Sequence, residues 1–244
     1  EAITISLCVI CTGGFMITSD SFASYGVLVK VAVIIFMLIS ATNFYLQYKV
    51  FVKREFGAIR KNEEFRFMVL FFSAVSALVL VTMFMNGRGT GNVLESVVDV
   101  LFSVVSIGTT TGFTTVDYTT GWPFIGMSLL LVVMFIGGST GSTAGGIKIS
   151  RALIVLKSML NEVRQAVHPN AVYSVRFDGR GADEGVVRSA TVVALMFIIT
   201  IFVGAMVMDM EMEMGEALFA SCALVSGTGP GMGALFGNYC AMSG

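Results

Sequence analysis

Residues 94–115 read Leu94-Glu95-Ser96-Val97-Val98-Asp99-Val100-Leu101-Phe102-Ser103-Val104-Val105-Ser106-Ile107-Gly108-Thr109-Thr110-Thr111-Gly112-Phe113-Thr114-Thr115. The first fourteen, Leu94–Ile107, are mostly apolar, yet a helix needs about 20 such residues to cross a bilayer. The eight that follow are glycine and threonine with one phenylalanine, a composition that does not prolong a helix. A short apolar helix running into a Thr-Gly segment predicts a loop that enters the membrane and returns to the side it came from. Non-helical backbone survives at that depth only where it is buried in protein or lines a water-filled path.

The pattern recurs. Glu1–Ile10 leads into Cys11-Thr12-Gly13-Gly14-Phe15, and Gly215–Val225 leads into Ser226-Gly227-Thr228-Gly229-Pro230-Gly231. Gly13 and Gly112 are 99 residues apart, and Gly112 and Gly229 are 117 apart, so an internal repeat fits. Longer apolar spans lie between the loops, over 25–48, 67–85, 124–160 and 190–208. The third is interrupted by Gly137-Gly138-Ser139-Thr140-Gly141-Ser142-Thr143-Ala144-Gly145-Gly146. Each glycine costs a helix about 1 kcal/mol against alanine, so a break is expected there.

Composition agrees. Of 244 residues, 55% are hydrophobic and 13% charged, against about 25% charged in soluble domains. The chain therefore reads as a multi-pass membrane protein, and no basic stripe interleaved with aromatics suggests nucleic-acid binding. Lys49, Lys53, Arg54, Arg60, Lys61 and Arg66 fall between the first two spans. Lys157, Arg164, Arg176, Arg180 and Arg188 fall between the last two. By the positive-inside rule both connections are cytoplasmic, which puts every Thr-Gly loop on the outer side. Asp117, Asp209, Glu211, Glu213 and Glu216 lie on that outer side; the run 209–213 either concentrates cations at an outer mouth or is a solvated loop. Tyr118 and Trp122 are read as interfacial aromatics. Cys8, Cys11, Cys222 and Cys240 are read as small buried hydrophobes.

This arrangement suits a cation. A half-membrane helix with its C-terminus at mid-bilayer presents a negative dipole end there. The extended Thr-Gly segment after it can aim carbonyl oxygens at an axis and replace an ion's hydration shell. Glycine supplies backbone angles that a β-carbon forbids. The expected fold is thus an all-α membrane protein of repeated transmembrane helix–re-entrant pore loop–transmembrane helix units around a central pore.

Three stretches carry a family resemblance: Thr110-Thr111-Gly112-Phe113-Thr114-Thr115-Val116-Asp117, the run Gly137–Lys148, and His168-Pro169-Asn170-Ala171-Val172-Tyr173-Ser174. They resemble the potassium-translocating subunits of bacterial Trk systems, within the Trk/Ktr/HKT superfamily. The resemblance covers the whole chain and implies four helix–pore loop–helix repeats around one pore in the bacterial inner membrane. On it, 1–48 is the pore loop and inner helix of repeat two and 49–66 a cytoplasmic connection. Repeat three is 67–165, with pore loop 94–115 and an intramembrane gate loop 137–146. After the connection 166–188, residues 189–244 hold the outer helix and pore loop of repeat four. Both ends are read as cut from a longer protein, so three quarters of a filter are expected.

The implied potassium ligands come from Cys11, Thr12 and Gly13, from Thr110, Thr111 and Gly112, and from Gly227, Thr228 and Gly229. The implied gate uses Gly137, Gly138, Gly141, Gly145, Gly146 and Lys148. In the family, serine in place of the filter glycine goes with sodium permeation, and glycine at the visible positions favours potassium over a sodium-permeable alternative. The resemblance further implies a homodimer in membrane lipid, a cytosolic ring of nucleotide-binding regulatory subunits, potassium as transported ligand and no organic cofactor.

Two enzymatic motifs fail. Gly137-Gly138-Ser139-Thr140-Gly141 matches the serine-hydrolase elbow, but the single histidine, His168, falls in a cytoplasmic segment. Gly141–Lys148 approaches a phosphate-binding loop, but Ile147 separates glycine from lysine and Ile149 replaces the hydroxyl residue. Lys148 and Arg151 either mark an ion pathway or snorkel to the cytoplasmic interface. His168-Pro169 is read as a helix end.

Overall fold

The computed structural model describes residues 2–16, 21–87, 92–116, 118–168 and 174–232. Their regular structure is helical apart from one short antiparallel pair, β1 (Arg176–Phe177) with β2 (Arg180–Gly181). Helix α1 (Ala2–Ile10) is followed by α2 (Val27–Ser40), α3 (Phe44–Phe51) and α4 (Gly57–Lys61). Then come α5 (Glu63–Met85), α6 (Val93–Gly108), α7 (Tyr118–Gly121), α8 (Phe124–Ile136) and α9 (Ile149–Val167). After the hairpin the chain continues as α10 (Glu184–Met208) and α11 (Met214–Ser226).

By length and composition α5 and α10 are able to cross a membrane, and α2 with α3 makes a third crossing if the bent pair is one span. Helix α5 begins where the Asn62 side chain accepts the Phe65 N–H at 2.8 Å, with Glu63 and Glu64 in the first turn facing the positive end of the dipole. Helix α10 buries little beyond Ala190, Ile201 and Ala205 and leaves Leu195, Ile199, Phe202, Val203 and Met206 exposed. Leu28, Ile35 and Phe36 on α2 and Leu70 and Val81 on α5 are exposed too. Outward apolar faces of this extent are what lipid, as the solvent, requires.

Helix α6 is the opposite case. Every residue from Phe102 to Gly108 is buried, and the helix packs against α2, α5 and α8. A helix apolar on all sides belongs inside. Its fit is close: a β-carbon on Gly108 would run into the Phe72 ring and Val133. Lys30 on α2 reaches Asp99 on α6 at 2.7 Å, both side chains largely buried, so the short helix is tied to a neighbour by charge as well as packing.

The structure departs from the sequence reading in several places. The span expected over 25–48 is broken between Ser40 and Phe44, where α2 and α3 meet at 107°. Thr42 Oγ1 donates to Leu38 O (2.7 Å), the Asn43 side chain accepts the Tyr45 N–H (2.8 Å), and Gln47 Nε2 donates to Ile39 O (2.7 Å). Such local side-chain bonds give the backbone an alternative to the helix ladder. The break expected at Gly137–Gly146 is present, with α8 ending at Ile136, but α9 beyond it is not a wholly apolar continuation of the span: it buries one face only, around Ile149, Leu153 and Ile154. Tyr118 and Trp122 are core residues rather than interfacial ones, 0% and 1% exposed. Tyr118 packs on Trp122 and Phe219 and donates its hydroxyl to Gly231 O at 2.9 Å. Cys8 and Cys222 are buried as expected, but Cys11 is exposed and so is not the buried hydrophobe read from sequence, and Cys240 lies outside the described residues.

Candidate ion-filter site

The three short helices α1, α6 and α11 end alike. The N–H groups of Thr12, Thr110 and Gly227 donate three residues back, to Val9 O (3.3 Å), Ile107 O (3.1 Å) and Leu224 O (3.2 Å). The next N–H groups, of Gly13, Thr111 and Thr228, donate five residues back, to Cys8 O (2.9 Å), Ser106 O (2.8 Å) and Ala223 O (2.9 Å). Thr12, Thr110 and Gly227 are left-handed, at φ +52°, +55° and +75°. Two residues on, Gly14, Gly112 and Gly229 are left-handed again, at +67°, +83° and +97°. This shared turn lifts the chain off each helix end and straightens it.

That shared pattern corrects the register read from sequence. The counterpart of Gly112 and Gly229 is Gly14, not Gly13, and the counterpart of Thr110 and Gly227 is Thr12, not Cys11. Cys11 stands instead with Thr109 and Ser226 at the last turn of the helix. Thr12-Gly13-Gly14 offers two adjacent glycines, so a Thr-Gly pair alone does not set the register of this segment. Aligning Phe15 with Phe113 finds the right register from sequence alone.

Behind the turn, two segments carry a hydroxyl strut. Thr109 Oγ1 meets Thr111 Oγ1 at 2.8 Å, and Ser226 Oγ meets Thr228 Oγ1 at 2.8 Å, both buried. In the first segment the matching residues are Cys11 and Gly13, which have no hydroxyl to pair. Side by side, the segments abut through their backbones. A β-carbon on Gly14 would overlap Thr111 O, and one on Gly112 would overlap Thr228 O. Only glycine allows that approach at these angles.

The glycine-rich run forms a closed loop between α8 and α9. Its neck is sewn by backbone bonds: Ile147 N to Phe135 O (3.1 Å), Lys148 N to Ile136 O (2.9 Å) and Ile149 N to Gly138 O (3.0 Å). Gly137, Gly141 and Gly146 are left-handed, and a β-carbon on Gly137 would collide with Gly145 and Gly146 across the neck. The tip reaches all three helix ends. Thr143 O accepts the Thr12 hydroxyl at 3.1 Å, and the Thr143 hydroxyl lies 3.2 Å from Ile10 O. Gly145 N donates to Thr110 Oγ1 at 2.6 Å, and Gly146 N donates to Ser226 O at 3.1 Å. The loop also fills the break between α2 and α3: Ser139 N donates to Ala41 O (3.0 Å) and Phe44 N to Gly141 O (2.9 Å). Backbone groups freed by one interruption are thus satisfied by the other.

Lys148 turns back into the loop, its Nζ donating to Ala144 O, and Arg151 reaches Ile147 O at 3.4 Å. Ser139 is buried with its hydroxyl on Met68 Sδ at 3.8 Å. His168 caps the far end of α9, about 28 Å along at 1.5 Å per residue, so the two cannot form a nucleophile–base pair. Met68 and Glu64, both on α5 and both touching the loop, carry no signal in the sequence: Glu64 lies among Lys61, Glu63 and Arg66, in a charged stretch ahead of the apolar span.

Half-membrane helices that stop on the same left-handed turn, set among membrane-length helices, define a repeated pore-loop membrane protein. Comparison with known proteins resolves the class further. The family model described as TrkH, a cation transport protein, matches residues 1–243. The chain is 32% identical over its whole length to the Trk system potassium uptake protein TrkH of Escherichia coli K12, of which it covers 50%. It is 32% identical over 97% of its length to the potassium uptake protein TrkG of the same organism, covering 48% of that protein. The crystal structure of the potassium transporter TrkH from Vibrio parahaemolyticus superposes with a TM-score of 0.87 at 28% identity, over 99% of this chain and 52% of that one. The chain belongs to the TrkH family of cation transport proteins, and it spans about half the length of the curated relatives it matches.

Proposed function

We propose that this chain forms part of a potassium uptake pathway across the bacterial inner membrane. Thr12-Gly13-Gly14, Thr110-Thr111-Gly112 and Gly227-Thr228-Gly229 are its filter segments, and the loop 137–148 is its gate. The observation that carries this reading is the turn common to three short helix ends, which brings the backbones of neighbouring segments into contact. Carbonyl oxygens held in that way replace the hydration shell of a dehydrated cation. The gate reading rests on the tip of the loop: the N–H groups of Gly145 and Gly146 occupy oxygens at the helix ends, where the negative dipole ends would favour an ion. Potassium as the ion follows the relatives' names and the glycine at each filter position.

The same reading includes a homodimer in membrane lipid and a nucleotide-binding regulatory subunit on the basic side. A cavity of about 630 Å³ between the two basic connections, bordered by Lys49, Lys61, Glu64, Phe177 and Asp178, supports docking there. The connections are pinned together: Lys157 pairs with Glu63 and donates to Arg176 O (2.8 Å), while Asp178 N donates to Glu63 Oε2 (3.0 Å).

Potassium uptake in cells that depend on the full-length protein tests the filter. Gly112→Ser is expected to admit sodium and to lower the preference for potassium by about tenfold or more, the scale of one altered ion-binding contact. Sodium competition unchanged from the native protein refutes the assignment of Gly112. Deleting residues 142–145 is expected to raise flux, and an unchanged flux in the folded protein refutes the gate.

A further inference from the structure

Glu64 is a carboxylate inside a membrane helix, 3% exposed, and the filter and gate so far leave it without a task. It sits in the first turn of α5, on a different helix from either root of the glycine-rich loop. Its Oε1 accepts the N–H of Thr140 at 2.6 Å and the N–H of Ser150 at 3.2 Å. The Thr140 and Ser150 hydroxyls bond each other beside it. Thr140 stands at the start of the loop, and Ser150 is the second residue of α9, where backbone N–H groups have no partner within the helix. One oxygen therefore ties the incoming and outgoing strands of the loop together and ties both to α5.

We infer that Glu64 is a positioning residue that clamps the two roots of the gate loop and confines its movement to residues 141–147. The geometry separates the loop into unequal parts. Its roots are held by two charge-assisted bonds, which are about twice as strong as neutral ones. Its tip is held to the helix ends by neutral bonds: Thr143 meets Thr12, Ile10 and Ser40, Gly145 meets the Thr110 hydroxyl and Gly146 meets Ser226 O. Left-handed glycines at 141 and 146 flank the tip, where the backbone swings at least cost. The tip thus releases first, and α8 and α9 keep their places while it does. The inference rests on reading the loop as a gate, but the clamp itself is measurable without transport.

The test uses the full-length protein in its membrane, with amide hydrogen exchange of the peptide 138–150 and potassium flux read in parallel. Glu64→Ala leaves two buried N–H groups unpaired, and exchange in 138–150 is expected to rise about tenfold or more, while α5 and α8 stay protected. Glu64→Gln keeps an acceptor at the same place without the charge and is expected to fall between native and Glu64→Ala, as a merely space-filling residue would not. Native exchange in folded Glu64→Ala overturns the clamp. If that variant does not accumulate, Glu64→Asp decides, because it keeps the charge but draws it back by one methylene: raised exchange supports the clamp, and native exchange overturns it. Raised exchange with unchanged flux upholds the clamp and overturns the loop as gate.

Discussion

Gly13 and Gly14 are neighbours with different duties. Gly14 is left-handed at φ +67°, and a β-carbon there would enter Thr111 O. At Gly13 a β-carbon meets only the movable Cys11 Sγ, at 3.2 Å, and the Phe15 ring. Gly14→Ala is therefore expected to lower potassium uptake at least roughly tenfold, since a forced left-handed residue alone costs about 1–3 kcal/mol. Gly13→Ala is expected to change it less than about twofold, within the scatter of a surface substitution. Uptake assays on the two variants decide the register, and the reverse order of effect returns it to Gly13. The sequence showed that glycine mattered in this stretch but not which glycine, because handedness is a property of the folded turn. Tyr118 and Trp122 misled for a related reason: an aromatic at the predicted outer edge of a span is also an aromatic near the end of a pore loop, and only packing against Phe219 distinguishes the two.

At the scale of elements, α6 is held less by its own length than by what surrounds it. Lys30 and Asp99 keep side-chain exposures of 10% and 14% and join it to α2. Lys30→Met strands a buried carboxylate and is expected to destabilise the protein by about 3–5 kcal/mol, seen as a lower apparent Tm of the purified full-length protein. Lys30→Met with Asp99→Leu removes both charges and is expected to recover most of that loss; no recovery refutes a pairwise role. The short helices and the break at Gly137 were legible in the sequence because apolar length and glycine density are local quantities. The break at Ala41–Asn43 was not, since no glycine or proline marks it. Thr42, Asn43 and Gln47 are ordinary polar residues until their bonds to the backbone, and the arrival of Ser139 and Gly141, make bending favourable.

Over the whole molecule, the apolar residues divide between a core around Phe72, Phe102, Leu130, Met134 and Phe219 and a lipid-facing belt that runs along α10. Ile199, mid-way along α10 and 54% exposed, is a fair probe of that belt. Ile199→Arg is expected to disfavour insertion by about 2.5–3.5 kcal/mol, measured as loss of membrane-integrated protein, whereas an aqueous surface would accept it freely. Composition gave the belt, and spacing gave the repeats, but neither gave the way the repeats differ. Two segments carry a hydroxyl strut and the first does not, and among the described residues the glycine-rich loop stands between α8 and α9 alone. That inequality has an architectural consequence. A ring of identical subunits would bring one such loop per subunit to the same axis, and the loops would collide there. In the proposed reading, joining unequal units in one polypeptide lets a single plug serve a shared passage, at the cost of rotational symmetry.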